Sequence, residues 1–427
     1  MKIEELYQCF LQCDSITTDT RKITPNSLFF ALKGDLFNAN EFAQEALNKG
    51  ALFAVVDEKK YYTDENKMFL VNDSLKSLQE LAHYHRTQLG LPVISLTGSN
   101  GKTTTKELIN CVLSKKYNTV ATQGNLNNHI GVPLTLLSIK EDTDIAIVEM
   151  GANHQKEIEL LCNITSPDFG YITNFGKAHL EGFGGIEGVI KGKSEMYTYI
   201  ENHHKTVFIN LDDPIQEEKT QKINRYTFST NNNKKANITI QKIEANPFVK
   251  IEYNGIQIQS NLIGIYNSNN INAAITIGKY FNITDKEIKD AIENYIPNNN
   301  RSQLIEKGNN KIILDAYNAN PSSMAAALSH FQQLDGSKIA FLGDMFELGN
   351  ESLEEHKKII ESIINTTNIQ FYFIGKDFYS SKIEKEHIFY YASFEDFIKN
   401  KPNEINNTTI LIKGSRGMAL ERILEII

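Results

Sequence analysis

A basic surplus is missing from this chain: its 427 residues carry 44 Lys and Arg against 52 Asp and Glu, a formal net charge of −8. Proteins that bind nucleic acid normally present a basic face or stripe, so that class is set aside. Nucleotides are not excluded, because a few local cations can hold them. Cysteine is scarce as well. Cys9, Cys13, Cys111 and Cys162 form no CxxC pair and no Cys/His metal spacing, which implies four reduced thiols rather than a disulfide framework or a zinc site. No apolar run approaches the ~20 residues of a membrane span. Residues 1–5 lack the long apolar segment of a signal peptide, so a cytoplasmic protein is expected. No fixed short repeat and no coiled-coil heptad occurs.

What is present begins with an apolar content of 41%, ordinary for a globular protein but in a chain too long for one core. About two to four domains are expected. One stretch organises the rest: Thr97-Gly98-Ser99-Asn100-Gly101-Lys102-Thr103. The run before it, 93–96, is short and β-branched enough for a buried strand. After it, Leu108, Ile109, Val112 and Leu113 have the spacing of an amphipathic helix. A Gly-rich turn at that junction leaves backbone N–H groups free at a helix N-terminus, where an anion is favoured. Lys102 would add a charge for the outer phosphates, and the Thr103 hydroxyl a Mg²⁺ ligand. A full Walker A pattern has glycine five residues before Gly101, where this chain has Leu96. The alternative is a plain strand-to-helix turn with a capping threonine.

Around that stretch an α/β protein of three domains is expected. Residues 1–90 read as a small mixed α/β domain, with strands at 28–32 and 51–56 and helices at 41–49 and 75–89; Gly90-Leu91-Pro92 ends it. Arg21 and Lys33 flank turns there and could hold a diphosphate, or be solvated surface cations. Residues 91–297 alternate strand and helix, as a mostly parallel sheet with helices on its faces does, and ligands of such sheets gather beyond the C-terminal strand ends. The strand 144–148 delivers Glu149 to such an end, either as an acidic Mg²⁺ ligand opposite the phosphate loop or as a solvated rim residue. A strand at 168–174 leads into a Gly-rich loop, 176–185, that carries His179. A helix holding Lys191 and Lys193 opens at Ile190. Read alone, that histidine is structural or a ligand, and those lysines are solvated. Between 220 and 262 short strands with Asn-rich turns, such as Asn231-Asn232-Asn233, predict an antiparallel extension. Residues 298–427 resume the alternation as a Rossmann-like α/β domain with polar loops at its strand ends. Two α/β domains facing each other across a nucleotide predict a closing cleft.

These motifs, in this order, resemble the Mur ligases, ATP-dependent amide-forming enzymes of peptidoglycan precursor synthesis, over essentially the whole chain. The family's short loop, Thr-Gly-x-x-Gly-Lys-Thr, accounts for Leu96. Asp19-Thr20-Arg21 and Leu32-Lys33-Gly34 match the part that binds a UDP moiety, implying Thr20, Arg21, Lys33 and Gly34. Gly124-Asn125-Leu126-Asn127-Asn128, followed by Ile130-Gly131-Val132-Pro133-Leu134, matches a substrate loop. Asp315-Ala316-Tyr317-Asn318-Ala319-Asn320-Pro321 and Leu342-Gly343-Asp344-Met345 with Glu347-Leu348-Gly349 resemble the type that adds D-alanyl-D-alanine to UDP-MurNAc-tripeptide.

The resemblance implies that ATP is held by Gly98, Ser99, Asn100, Gly101, Lys102, Thr103 and Thr104. Tyr266, Asn267 and Asn270 would pack on adenine, Tyr standing where many relatives have His, and Arg301 and Asp315 would add nucleotide contacts. Thr103 and Glu149 would hold one Mg²⁺; His179 and Lys193, carbamylated into a carboxylate-like ligand, would hold a second. Asn125, Asn127, Asn128, Asn318 and Asn320 would face the substrates. The implied catalytic set is Lys102, Glu149, His179 and Lys193, in a monomer without nucleic-acid partner or membrane span. The stretch 413–416 resembles a family signature to which no chemical role attaches. Two alternatives stand beside this reading. One is a related ligase such as a folylpolyglutamate synthase, against which the 125–128 and 318–321 stretches argue. The other is a nucleotide switch without ligase chemistry.

Overall fold

In the computed structural model, which describes residues 2–231, 233–402 and 404–427, Val93–Thr97 is a strand buried along its whole length. A strand with no exposed face belongs inside a sheet covered on both sides. The central sheet has nine strands, in the order Thr119–Ala121, Ile145–Glu149, Val93–Thr97, Phe169–Ile172, Thr206–Asn210, Asn224–Ser229, Ile238–Ala245, Phe248–Tyr253 and Ile256–Ile263. From Val93–Thr97 the chain moves to the edge, returns to Ile145–Glu149, then crosses to Phe169–Ile172 on the other side. The winding therefore reverses beside Val93–Thr97, and diverging loops at such a reversal leave a crevice at the C-terminal strand ends. Leu96 pairs with Tyr171 on one side and Glu149 on the other, which puts the phosphate loop and Glu149 at the same rim.

The antiparallel extension expected over 220–262 is shorter than that range. Asn224–Ser229 pairs in parallel with Thr206–Asn210, and with the start of Ile238–Ala245. The helix Pro214–Lys219 lies between the first two of these strands, and a crossover of that kind returns the chain in the same direction. Antiparallel pairing begins with Phe248–Tyr253 and continues to Ile256–Ile263. There Asn254 and Gly255, both at positive φ (50° and 73°), make the two-residue reversal that a tight hairpin needs. Of the Asn-rich turn expected at 231–233, Asn232 lies outside the described residues. The helix expected from Ile190 starts earlier, as Ile186–Asn202, directly after Gly184 and Gly185 at positive φ.

A four-stranded and a six-stranded sheet flank this one, and Lys33–Gly34 pairs with Phe37–Asn38 as a separate two-stranded ribbon. The N-terminal sheet has four parallel strands, Ser15–Thr17, Ser27–Phe30, Phe53–Val56 and Met68–Leu70. The following helix, Ser74–Leu89, is capped by Asp73 at one end and by left-handed Gly90 at the other. It is also fastened to the central unit. Gln79 donates to the His129 carbonyl at 3.0 Å, Arg86 donates to the carbonyls of Thr165 and Ser166, and Arg86 pairs with Asp168 at 2.7 Å. Asp168 in turn accepts from the Val93 N–H at the head of the central strand. Arg86→Ala would take the guanidinium from the Asp168 carboxylate, which keeps Lys205 at 2.7 Å, and would leave the Thr165 and Ser166 carbonyls without that donor. Urea unfolding should show a loss of about 1 to 3 kcal/mol; an unchanged midpoint would mean that this helix is not fastened through Arg86.

The C-terminal sheet has six strands, in the order Gln303–Lys307, Asn310–Asp315, Thr408–Lys413, Ser337–Gly343, Ile369–Ile374 and Ile388–Tyr391. Only the edge strand Gln303–Lys307 runs antiparallel. Parallel register brings the ends at Asp315, Gly343 and Lys413 to one rim, which faces the phosphate loop. Among the described residues no helix is long and apolar enough to cross a membrane.

Candidate active site

The phosphate loop is built by backbone geometry. Gly98 has φ 144°, and a Cβ there would lie 1.9 Å from the Thr173 hydroxyl; Gly101 has φ 79°, and its Cβ would meet Asn270 Oδ1 at 2.4 Å. Both positions demand glycine. Gly101 caps the helix Lys102–Leu113, whose first N–H groups point into the cleft. The loop is gripped from the next strand. Asn174 accepts from the Asn100 N–H (3.1 Å) and donates to the Asn100 carbonyl (3.0 Å), Thr173 donates to that carbonyl (2.6 Å), and Ser99 donates to the Gly176 carbonyl (2.6 Å). Beneath it, Asn270 accepts from Thr105 and donates to Asn267, which donates to the Ile263 carbonyl. The two asparagines expected to face adenine thus also brace the loop.

Lys102 folds back to donate to the Gly98 carbonyl at 2.7 Å. Its pKa is lowered, chiefly by desolvation; Glu149 works in the opposite direction and Arg301 adds repulsion. Glu149 is 1% exposed. Its Oε1 accepts from Asn127 at 2.8 Å, while its Oε2 is buried with no partner. A buried carboxylate oxygen in that condition is a place for a cation. His179, at the head of the short helix Leu180–Phe183, has left-handed backbone geometry, and its ring lines the cleft. Lys193 is 1% exposed, with its Nζ 5.2 Å from the centre of the Phe183 ring. Burial, then repulsion from Lys102, pushes its pKa well below the usual lysine range. Of the two lysines on that helix, Lys191 is the solvated one and Lys193 is inside.

The cleft has a volume of about 940 Å³ and is lined from both large units. From the C-terminal unit, Asn320 donates to Asn100 Oδ1 at 2.7 Å, Glu355 pairs with Lys177 at 2.6 Å, and the Ser322 hydroxyl accepts from the Lys177 N–H. Glu347 contacts His179 Nδ1, and this contact holds the Glu347 carboxyl below its usual range. Asp315 accepts from the Ser302 N–H and is paired with buried Lys413. The Arg301 guanidinium lies 3.8 Å over the Tyr317 ring, with its Nε unpartnered. Tyr266 donates to or accepts from Ser302 at 3.0 Å, and burial raises its pKa.

The cleft therefore gathers Ser99, Asn100, Gly101, Lys102, Thr103, Thr104, Asn125, Asn127, Asn128, Glu149, His179, Tyr266, Asn267, Asn270, Arg301, Asp315, Asn318 and Asn320. Gly98 and Lys193 are not among its lining residues. Thr20, Arg21, Lys33 and Gly34 do not line it. Arg21 is exposed and paired with Asp19 at 2.8 Å, and Lys33 is paired with Asp57 at 3.1 Å. Asn128 spends its carbonyl on the N–H groups of Ile130 and Gly131, and Asn318 on Ala319. Reading the sequence missed Asn174, Lys177, Glu347 and Lys413. Lys177, Glu347 and Lys413 lie in loops at strand ends, and that position was their only signal.

A phosphate loop at a sheet reversal, with a second α/β unit closing over it, defines a phosphate-loop enzyme whose cleft is shared between two units. The particular family follows from comparison. The chain belongs to the Mur ligase family: the Mur ligase middle domain matches residues 96–278, and the Mur ligase, glutamate ligase domain, residues 300–416. It is similar to the UDP-N-acetylmuramoyl-tripeptide–D-alanyl-D-alanine ligase of Bacillus subtilis (strain 168), with 35% identity over 96% of this chain and 92% of that protein. Among solved structures, it is similar to MurF from Acinetobacter baumannii (TM-score 0.86, 28% identity, 100% of this chain and 98% of that one). It is also similar to MurF ligase from Thermotoga maritima in complex with ADP (TM-score 0.84, 26% identity, 98% and 97%).

Proposed function

We propose that this chain is the ligase that joins D-alanyl-D-alanine to UDP-MurNAc-tripeptide and converts ATP to ADP and phosphate. The observation that carries the reading is the shared cleft, in which the phosphate loop at Asn100 is hydrogen-bonded to Asn320 of the opposite unit. A carboxylate is a poor acyl donor because oxide leaves badly. The tripeptide carboxylate would attack the γ-phosphorus and ADP would leave, giving an acyl phosphate. The dipeptide amine would then attack that carbonyl, phosphate would leave with the bonding pair, and the amine would lose a proton.

In this reading residues 1–90 hold the UDP end, 91–297 bind ATP and 298–427 close over both. Lys102 and the loop N–H groups hold the β- and γ-phosphates, so most of the catalysis is positioning and charge stabilisation. Thr103 and Glu149 would hold one Mg²⁺, and His179 with carbamylated Lys193 another. Bound there, Mg²⁺ would neutralise phosphate charge. The orphaned Glu149 Oε2 fits this assignment. Among the described residues no three His, Cys, Asp or Glu side chains converge, so the remaining ligands would be phosphate oxygens and the modified lysine, a usual arrangement for Mg²⁺. Asn320, Lys177 and Glu347 bring the C-terminal unit down and exclude water, which would otherwise hydrolyse the acyl phosphate. A cytoplasmic monomer completes the proposal.

The test is ADP release with UDP-MurNAc-tripeptide, with and without D-alanyl-D-alanine. Release should depend on the dipeptide. Nucleotide binding without dipeptide-stimulated release would favour a switch, and stimulation by glutamate with a folate a different ligase.

A further inference from the structure

One contact across the cleft joins two residues that are each unusual on their own. His179 and Glu347 both hold left-handed backbone geometry without being glycine, at φ 54° and 63°. Such conformations gather at functional sites and persist only where the surroundings fix them. His179 belongs to the central unit and Glu347 to the C-terminal unit. The Glu347 carboxylate lies against His179 Nδ1, a buried atom that has no aligned hydrogen-bond partner. The backbones engage too: the Glu347 carbonyl accepts from the Glu181 N–H at 3.2 Å, and Gly349 packs so closely that an added Cβ would lie 3.2 Å from the Glu181 side chain.

The loop that presents Glu347 is fixed from beneath. The Met345 N–H donates to His356 Nε2 at 2.9 Å, and the Phe346 N–H to the Ser415 hydroxyl at 2.9 Å. His356 Nδ1 in turn lies 2.7 Å from the Ser352 carbonyl, to which it donates, since Nε2 is an acceptor. Asp344, at the start of the loop, accepts from the N–H groups of Asp377 and Phe378, both at 3.0 Å. The carboxylate is therefore carried on a rigid mount. An imidazole whose Nδ1 faces a carboxylate keeps its proton there and leaves the Nε2 lone pair free for a metal ion, with the ring orientation set by the same contact.

We propose that Glu347 is a positioning residue for His179: its carboxylate fixes the tautomer and ring orientation of the histidine that binds the second divalent cation. The proposal rests on the reading of His179 as a metal ligand. Because the two residues sit on different units, that ligand is fully oriented only when the cleft is closed. Tight binding of the second ion is thereby tied to the arrival of the C-terminal unit, so an open enzyme holding ATP lacks the charge stabilisation that would let water consume it.

The test titrates Mn²⁺ by electron paramagnetic resonance into the full chain, with β,γ-methylene-ATP and UDP-MurNAc-tripeptide present. Glu347→Gln should loosen the weaker Mn²⁺ by about 10-fold and Glu347→Ala by up to about 100-fold, with the tighter ion and the melting temperature unchanged. Small-angle scattering of both variants with the same ligands should give the wild-type radius of gyration. Wild-type Mn²⁺ affinity in Glu347→Ala overturns the proposal. A variant that loses the ion only because it no longer closes also overturns it, assigning Glu347 to a latch. His179→Ala separates the two levels: if it keeps both ions, the ligand reading itself fails, whereas if it loses one while Glu347→Ala keeps both, only the positioning role does.

Discussion

Lys102→Ala abolishes ligation while the protein stays folded. Removing a cation that clamps a transferring phosphoryl group is expected to lower kcat by about 10³- to 10⁵-fold, equivalent to about 4 to 7 kcal/mol of transition-state stabilisation. The fold should tolerate the change. Desolvation lowers the Lys102 pKa, so the folded state holds this proton less firmly than the unfolded chain does. Wherever the unfolded state binds more protons, stability rises with pH. Below its lowered folded value, then, the charged side chain costs stability rather than contributing it, and the cost falls away as pH rises to the ordinary lysine value. Alanine at the first position of Lys102–Leu113 also has the best helix propensity. Calorimetric melting should therefore be unchanged or slightly raised, and least raised at alkaline pH. Retained turnover would sink the phosphate assignment, and a collapse in melting temperature would make Lys102 a structural residue.

Local chemistry explains which features were legible in the sequence. The phosphate loop was readable because Gly98 and Gly101 are required by backbone conformation and close approach, constraints that act within a few residues. Glu149 was readable because an apolar run so short can only be a buried strand, and its last residue must emerge at the rim. Strand direction is not written in alternation, so the extension over 220–262 was expected to be antiparallel two strands too early. Position along a helix misled in another way. Lys191 and Lys193 look alike in sequence, yet two residues on a helix are about 200° apart, and only Lys193 faces inward. Glu347 and Lys413 carried no signal beyond their place in strand-end loops, because their partners, His179 and Asp315, are distant in the chain. Arg21 and Lys33 match the resemblance in sequence, but their charges meet Asp19 and Asp57 rather than the cleft.

Lys193→Ala should be inactive and partly rescued by millimolar formate or acetate. Lys193 is enclosed by the protein, with the Phe183 ring beside its amine. Burial and the neighbouring Lys102 charge both push its pKa far down, so its nitrogen lone pair is freed more readily than that of an exposed lysine. A neutral amine can add to carbon dioxide: an N–C bond forms, one N–H proton goes to solvent, and the product is an anionic carbamate. The same Lys102 that repels an ammonium here attracts that anion, so the site that disfavours ordinary lysine favours the modified one. Alanine removes the carbamate and leaves a space shaped for the side chain, into which a small carboxylate can bring back the charge. A loss of about 10²- to 10³-fold is expected, typical of deleting one electrostatic group from a water-excluded site. Lys193→Arg, which stays cationic and cannot be carbamylated, should be inactive with or without acetate. Carbon-13 NMR of the wild-type enzyme under labelled carbon dioxide should show one carbamate resonance that both variants lack. Absence of that resonance, together with no rescue by either acid, would leave Lys193 as a buried, unmodified lysine with no part in binding the cation.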